Sequence, residues 1–149
     1  MDKAKSVLTP EQAAELLKGA MEARDHAYTP YSHFHVGAAL LTKEGKVYQG
    51  CNIENAAYSP SVCEERTAFF KAVYEGERNF KAAIMGGPET VKGPDCDICA
   101  PCGICRQVMM EFCDPGTFEI LLGTPEKYEI YTLKEILPLG FGSANLKKK

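Results

Sequence analysis

The segment "CDICAPCGICRQ" (residues 96–107) places Cys96, Cys99, Cys102 and Cys105 at every third position. Thiolates spaced this way hold soft or borderline metals, and three arrangements compete. One is an iron–sulfur run of the bacterial ferredoxin type, C-x2-C-x2-C-x3-C-P. Here the last gap is two residues, and the proline, Pro101, precedes Cys102 instead of following Cys105. A second is a structural zinc knuckle closed by four sulfurs: Cys102 and Cys105 where a helix opens, with Cys96 and Cys99 from the loop before it. The third recruits a sulfur from upstream. "SVCEERTA" (61–68) opens another apolar helix with Cys63 near its beginning, where free amides and the macrodipole stabilise a thiolate. Two helices aiming their N-termini at one spot would bring Cys63, Cys102 and Cys105 together. Three protein ligands and an open fourth position make a catalytic zinc site. Glu65, two residues after Cys63, then stands near the open position as an acid/base, and Glu64 is assigned to solvent.

The elements that must position these groups are legible from pattern. Thr9-Pro10-Glu11-Gln12 reads as a helix start, with Thr at the N-cap, Pro at the first helical position and Gln three residues after the cap. Ala13, Leu16, Leu17, Ala20 and Met21 then share one face. "FHVGAALLTKEGKVYQGCNI" (34–53) predicts two strands around a turn at Glu44-Gly45. Phe34, Val36, Ala38 and Leu40 alternate with Ala39 and Leu41, so both faces are apolar and the strand is central; that pattern places Phe34 in the core. "CEERTAFFKAVYEG" predicts a helix stopped near Gly76, and "KAAIMGG" a buried strand. A Gly/Pro/Asp-rich loop runs from Gly86 to about Ala100, long enough to be functional. "CGICRQVMMEFC" is another helix, "FEILLG" and "KYEIYTL" are strands, and Thr132-Leu133-Lys134-Glu135 is a capping box for a last short helix. The order α-β-β-α-β-α-β-β-α predicts an α/β fold: three layers, α/β/α, with a mixed sheet of about five strands. It reads as one domain over residues 1–149, with loose ends at 1–8 and 147–149.

Composition narrows the function classes. The 149 residues suffice for one domain with a real core, and 45% apolar with 25% charged residues is globular composition. A net charge of −3, with Lys147, Lys148 and Lys149 as the one basic run, weighs against a nucleic-acid partner. No apolar run approaches the length of a membrane span, and "MDKAKSVLTPEQ" has no apolar signal core. The expectation is a cytoplasmic protein with no membrane partner. Seven cysteines, an odd count, argue for reduced thiols rather than a disulfide framework. Cys51 and Cys113 sit in apolar contexts as packing residues. His26, His33 and His35 lack the helical spacing of a ligand pair and read as surface residues.

The pairing of "CEER" with "PCGICRQ" resembles the C/H-x-E … P-C-x-x-C signature of zinc-dependent cytidine deaminases. "YSHFHVGAAL", "GCNIENAAYS", "CEERTA", "PCGICRQV" and "LPLGFGSANL" follow in the order found in the small homotetrameric members, so the resemblance runs from Thr9 to about Leu146. It implies one zinc per chain on Cys63, Cys102 and Cys105, with Cys96 and Cys99 outside the ligand set. The implied reaction is hydrolytic deamination of free cytidine or 2′-deoxycytidine to uridine or 2′-deoxyuridine and ammonia, in pyrimidine salvage. Glu65 would be the catalytic acid/base, while at Glu64 the family usually has a small residue. Asn52 and Glu54, on their own an Asx-type turn and a surface charge, would bind the ribose 3′-hydroxyl. The Ala56 backbone would meet the base edge and Phe34 would stack on it. Phe141 would reach the active site of a neighbouring subunit, linking assembly to activity.

The chemistry needs a nucleophile at ring C4, a proton on N3 and another on the departing amine. Zinc lowers the pKa of water from 15.7 toward about 7, but three thiolates leave the site at −1 and weaken the metal. Helix N-termini withdraw part of that charge; Arg66 supplies the rest, and the resemblance implies that it hydrogen-bonds ligand sulfurs. Position 35 is commonly proline in the family and is His35 here, beside Phe34. The alternatives are a sibling deaminase acting on another aminopyrimidine nucleoside, such as an antibiotic, and a non-catalytic zinc-binding module. The intact "NIENAAY" favours a ribose-bearing substrate.

Overall fold

The computed structural model describes residues 1–86 and 99–147. Helix α1 (Pro10–Ala23) opens with the capping box expected of Thr9 and Gln12, formed in both directions. Strands β1 (Gly37–Thr42) and β2 (Val47–Cys51) precede α2 (Glu64–Tyr74) and β3 (Phe80–Gly86). Then come α3 (Gly103–Phe112), β4 (Glu119–Gly123), β5 (Tyr128–Thr132) and the short α4 (Leu133–Ile136). The sheet has the order β2-β1-β3-β4-β5. Its β3–β4 pair is parallel and the other pairs are antiparallel.

Period-two alternation splits the strands between two cores. Ala39 and Leu41 of β1, Ala82 and Ile84 of β3 and Leu121 of β4 face Leu16, Leu17 and Ala20 of α1. Leu40, Ala83, Ile120 and Leu122 face Ala68, Phe69 and Ala72 of α2 and Met109 of α3. Three layers result, with β1 buried along its whole length.

Strand direction decides where chemistry can occur. Because β1 is antiparallel to both β2 and β3, those two strands point the same way. Each is followed by a helix packed on the same face of the sheet. The N-termini of α2 and α3 therefore lie at one edge of the sheet, beyond the strand C-termini, where α/β folds place ligand sites. Gly50 lets α2 come this close: a Cβ there would stand 2.3 Å from the Glu64 carbonyl oxygen and 2.5 Å from the Ala68 nitrogen.

Two expectations meet a different outcome. Residues 1–8, read as a loose end, lie along the sheet: the terminal ammonium donates to the Ile130 carbonyl, and buried Glu119 accepts from Ser6 Oγ and the Val7 amide. Apolar alternation carried the first strand back to Phe34, yet β1 begins at Gly37 and Phe34 is 37% exposed. The cause is local. Asn52 diverts the β1–β2 ladder one pair beyond Gly37–Cys51.

The contact at Gly50 generates a prediction. Gly50→Ala should cost about 1–3 kcal/mol by forcing α2 off the sheet. Thermal unfolding should show a Tm lowered by several degrees.

Candidate functional site

Cys63 and Cys102 are the N-cap residues of α2 and α3, both with extended backbone, and neither sulfur caps its own helix. Cys105 lies one turn into α3 and is buried. The side chains of Cys63, Cys102 and Cys105 converge so that their sulfurs all lie within 4.8 Å of one another. Cys63 Sγ and Cys102 Sγ are 3.7 Å apart. A tetrahedral zinc with bonds of about 2.3 Å sets its sulfurs about 3.8 Å apart, so the spacing fits that ion.

Electrostatics gives the same answer. Hydrogen bonding to Cys105 is the largest influence lowering Cys63, followed by Arg66, and together they bring it to about 5. Cys105 is driven far up, first by its bond to Cys63 and then by burial. A cation placed between the sulfurs would stabilise their ionised forms. Arg66 extends a guanidinium nitrogen to within 3.6 Å of Cys63 Sγ. Zinc would sit on these three cysteines.

A pocket of about 280 Å³ opens on the sulfurs, and Phe34, Asn52, Glu54, Glu64, Glu65 and Cys99 contribute to its walls. Glu65 is 3% exposed, and among the described residues its Oε2 has no hydrogen-bond partner. Burial pushes its carboxyl above the ordinary range. A buried acceptor without a donor is costly unless something from outside completes it.

Glu64 does not reach solvent as expected. It is 6% exposed, lines the same pocket, and has a carboxyl oxygen within 4.8 Å of both Cys63 Sγ and a Glu65 oxygen. Position N1 of α2, packed over Gly50, turns the side chain inward instead of along an open helix face. Burial, and then the charge of Glu65, push Glu64 from its ordinary 4.5 to about 9.

The other sequence-predicted residues fall as follows. Asn52 and Glu54 follow β2 and use their side chains on backbone amides of residues 31–36. Ala56 and Phe141 are exposed and lie outside the walls of this pocket. The Phe141 carbonyl accepts from Gln107 Nε2 of α3 at 2.8 Å. His26, His33 and His35 are exposed, while Cys51 is buried and its thiol donates to the His26 carbonyl. Cys96 lies outside the described residues. Cys99 lines the pocket without joining the three-sulfur group, and its thiol is pushed up to about 11, mainly by burial.

Arg106 was missed by sequence reasoning. It donates to the Pro101 carbonyl at 2.8 Å and the Ile136 carbonyl at 2.6 Å, tying the approach to Cys102 to α4. Its only signal was its place directly after Cys105.

Residues 10–118 match the family model described as the cytidine and deoxycytidylate deaminase zinc-binding region. The chain belongs to this deaminase family. A cytidine deaminase of Sporosarcina psychrophila is 47% identical over 133 residues, 89% of this chain and 93% of that one. One of Halalkalibacterium halodurans is 44% identical over 132 residues, 88% and 95% of the two chains. The crystal structure of cytidine deaminase from Burkholderia pseudomallei superposes with a TM-score of 0.76 at 42% identity, covering 85% of this chain and 97% of that one. The fold is therefore the cytidine deaminase-like α/β fold with its five-stranded mixed sheet.

Two predictions follow from the site. Cys105→Ser should lose zinc, while Cys96→Ser/Cys99→Ser keeps one equivalent per chain, as metal analysis of the purified proteins would read. For Glu64, a folded-state pKa above the unfolded value means that unfolding releases a proton. Its contribution to stability is therefore lost as pH rises from about 5 to about 9. Glu64→Gln should melt several degrees higher than wild type at pH 8, the difference closing toward pH 5.

Proposed function

We propose that this chain is a cytidine deaminase that hydrolyses free cytidine and 2′-deoxycytidine to uridine and 2′-deoxyuridine with release of ammonia. One observation carries the reading: a buried carboxylate with an unused oxygen lies on the same pocket as three converging sulfurs. The names of the relatives support the substrate.

Cys63, Cys102 and Cys105 would hold one zinc ion per chain, which would supply the polarisation that makes a water nucleophilic toward ring C4. The protein supplies the proton traffic. Glu65 accepts the proton of the attacking water through Oε2, delivers it to N3, and passes a second to the amino group as the C4–N bond breaks. Burial suits it to this exchange, since a carboxyl raised above its ordinary range is a stronger base toward the proton of water. Arg66 holds the Cys63 sulfur and withdraws charge from the donor set. Asn52 and Glu54, on the pocket wall with Phe34, would meet the ribose 3′-hydroxyl. Phe34 would offer an aromatic face to the base, and the Ala56 backbone, two residues beyond Glu54, would meet the base edge. A pocket of about 280 Å³ is near the small end of ligand sites and suits one nucleoside rather than a polymer.

The working form is a homotetramer in which exposed Phe141 completes a neighbouring site, with each chain a single domain over residues 1–149. Among the described residues no helix is long and apolar enough to cross a membrane. A cytoplasmic setting in pyrimidine salvage accords with that and with the net charge of −3, which disfavours a nucleic-acid partner.

Loss of cytidine absorbance beside metal analysis tests the reading. Wild type should turn over cytidine and leave single-stranded DNA untouched. Glu65→Ala should retain zinc and lose roughly a hundred- to ten-thousandfold in kcat. An active Glu65→Ala enzyme would remove Glu65 from the mechanism.

A further inference from the structure

Beyond Cys51 the β1–β2 ladder departs from its regular pattern. The next antiparallel pair would be Val36–Asn52, exchanging two main-chain bonds. One is present, from the Asn52 amide to the Val36 carbonyl at 3.3 Å. The other is replaced: the Val36 amide donates to the side-chain Oδ1 of Asn52 at 3.0 Å. The displaced Asn52 carbonyl accepts from Tyr28 N instead. The same side chain donates from Nδ2 to the Phe34 carbonyl at 2.7 Å. One amide thus grips the backbone on both sides of His35 and holds Phe34 off the sheet, on the pocket wall.

The segment needs holding. His33, directly before Phe34, has φ of 56°, a left-handed conformation costly for this residue. Its amide is bonded to the Thr29 carbonyl, and Glu54 Oε1 accepts from Ser32 N at 3.2 Å. Phe34 remains 37% exposed, so packing alone does not fix its ring.

We infer that Asn52 is a positioning residue for the Phe34 ring, acting on the nucleobase through the 34–36 backbone as well as on any sugar hydroxyl. This rests on the deaminase reading and adds a role that a sugar contact does not require. A carboxamide at 52 is then needed for its two-sided hydrogen bonding. Aspartate keeps an acceptor for the Val36 amide and for a sugar hydroxyl, but as a carboxylate it cannot donate to the Phe34 carbonyl.

The test uses zinc-loaded enzyme with cytidine and 2′,3′-dideoxycytidine, which lacks the 2′- and 3′-hydroxyls. Asn52→Ala and Asn52→Asp should each raise KM roughly tenfold for both substrates, with kcat changed less than about threefold, as for loss of uniform binding. In a Phe34→Ala background, adding Asn52→Ala should raise the dideoxycytidine KM by less than about threefold, because the two act through one contact. Without substrate, amide hydrogen exchange over residues 31–36 should be faster in both Asn52 variants. A penalty confined to cytidine, wild-type behaviour of Asn52→Asp, full additivity with Phe34→Ala, or unchanged exchange would each overturn the inference. Zinc-loaded wild type inert toward both nucleosides would sink the deaminase reading instead, and the exchange measurement would still decide whether Asn52 holds the segment.

Discussion

Three sulfurs from two helices lie within 4.8 Å of one another, a crowding of metal-ligating groups that favours a cation between them, and much of the surrounding structure serves it. The helix N-termini direct positive potential at the sulfurs. Arg66 contributes a full charge beside Cys63. Arg106 secures the chain just before Cys102 from the other side, through the Pro101 and Ile136 carbonyls. Each lowers the cost of concentrating anionic ligands at the sheet edge. The sheet makes the meeting possible, since a strand antiparallel to both its neighbours sends α2 and α3 off in the same sense.

The same enclosure that leaves Glu65 Oε2 buried without a partner among the described residues burdens the fold. Two adjacent carboxyl groups, at positions 64 and 65, share one buried pocket, and burial raises both. Cys99 on the same wall is raised as well. Such a cluster opposes folding as pH rises, and α2 tolerates it because Ala68, Phe69 and Ala72 anchor the helix in the larger apolar cluster. Strain and unmet hydrogen bonding concentrate where function needs them.

On the opposite wall side-chain hydrogen bonds hold the backbone in place. Segment 28–36 leaves Tyr28, Tyr31 and Phe34 exposed and has a left-handed His33 to hold, so it is fastened by side-chain amide and carboxylate contacts from residues 52 and 54. An aromatic ring presented at the surface of a pocket cannot rely on core packing for its orientation. Polar bonds to its backbone take over that task.

Much of this was legible in the chain. Periodicity and capping boxes at Thr9 and Thr132 located α1 and α4, and Cys63 beside a C-x-x-C at two helix starts was enough to suggest a three-sulfur centre. Glu64, Phe34 and residues 1–8 were harder, because their surroundings come from other parts of the chain. A glutamate in a first helical turn is ordinarily solvated; here Gly50 of β2 brings the backbone within contact and turns it inward. Alternation assigned Phe34 to the core, but the amide of Asn52 ended the strand first. Nothing in residues 1–8 announces a partner, and Glu119 supplies one. The linear order of residues determined which groups could ionise, donate or bind metal, since those are properties of the side chains and their nearest neighbours. Which of them are buried, paired or aimed at one pocket was decided by the tertiary structure alone, since dielectric surroundings and hydrogen-bond partners are set by residues that meet only when the sheet assembles.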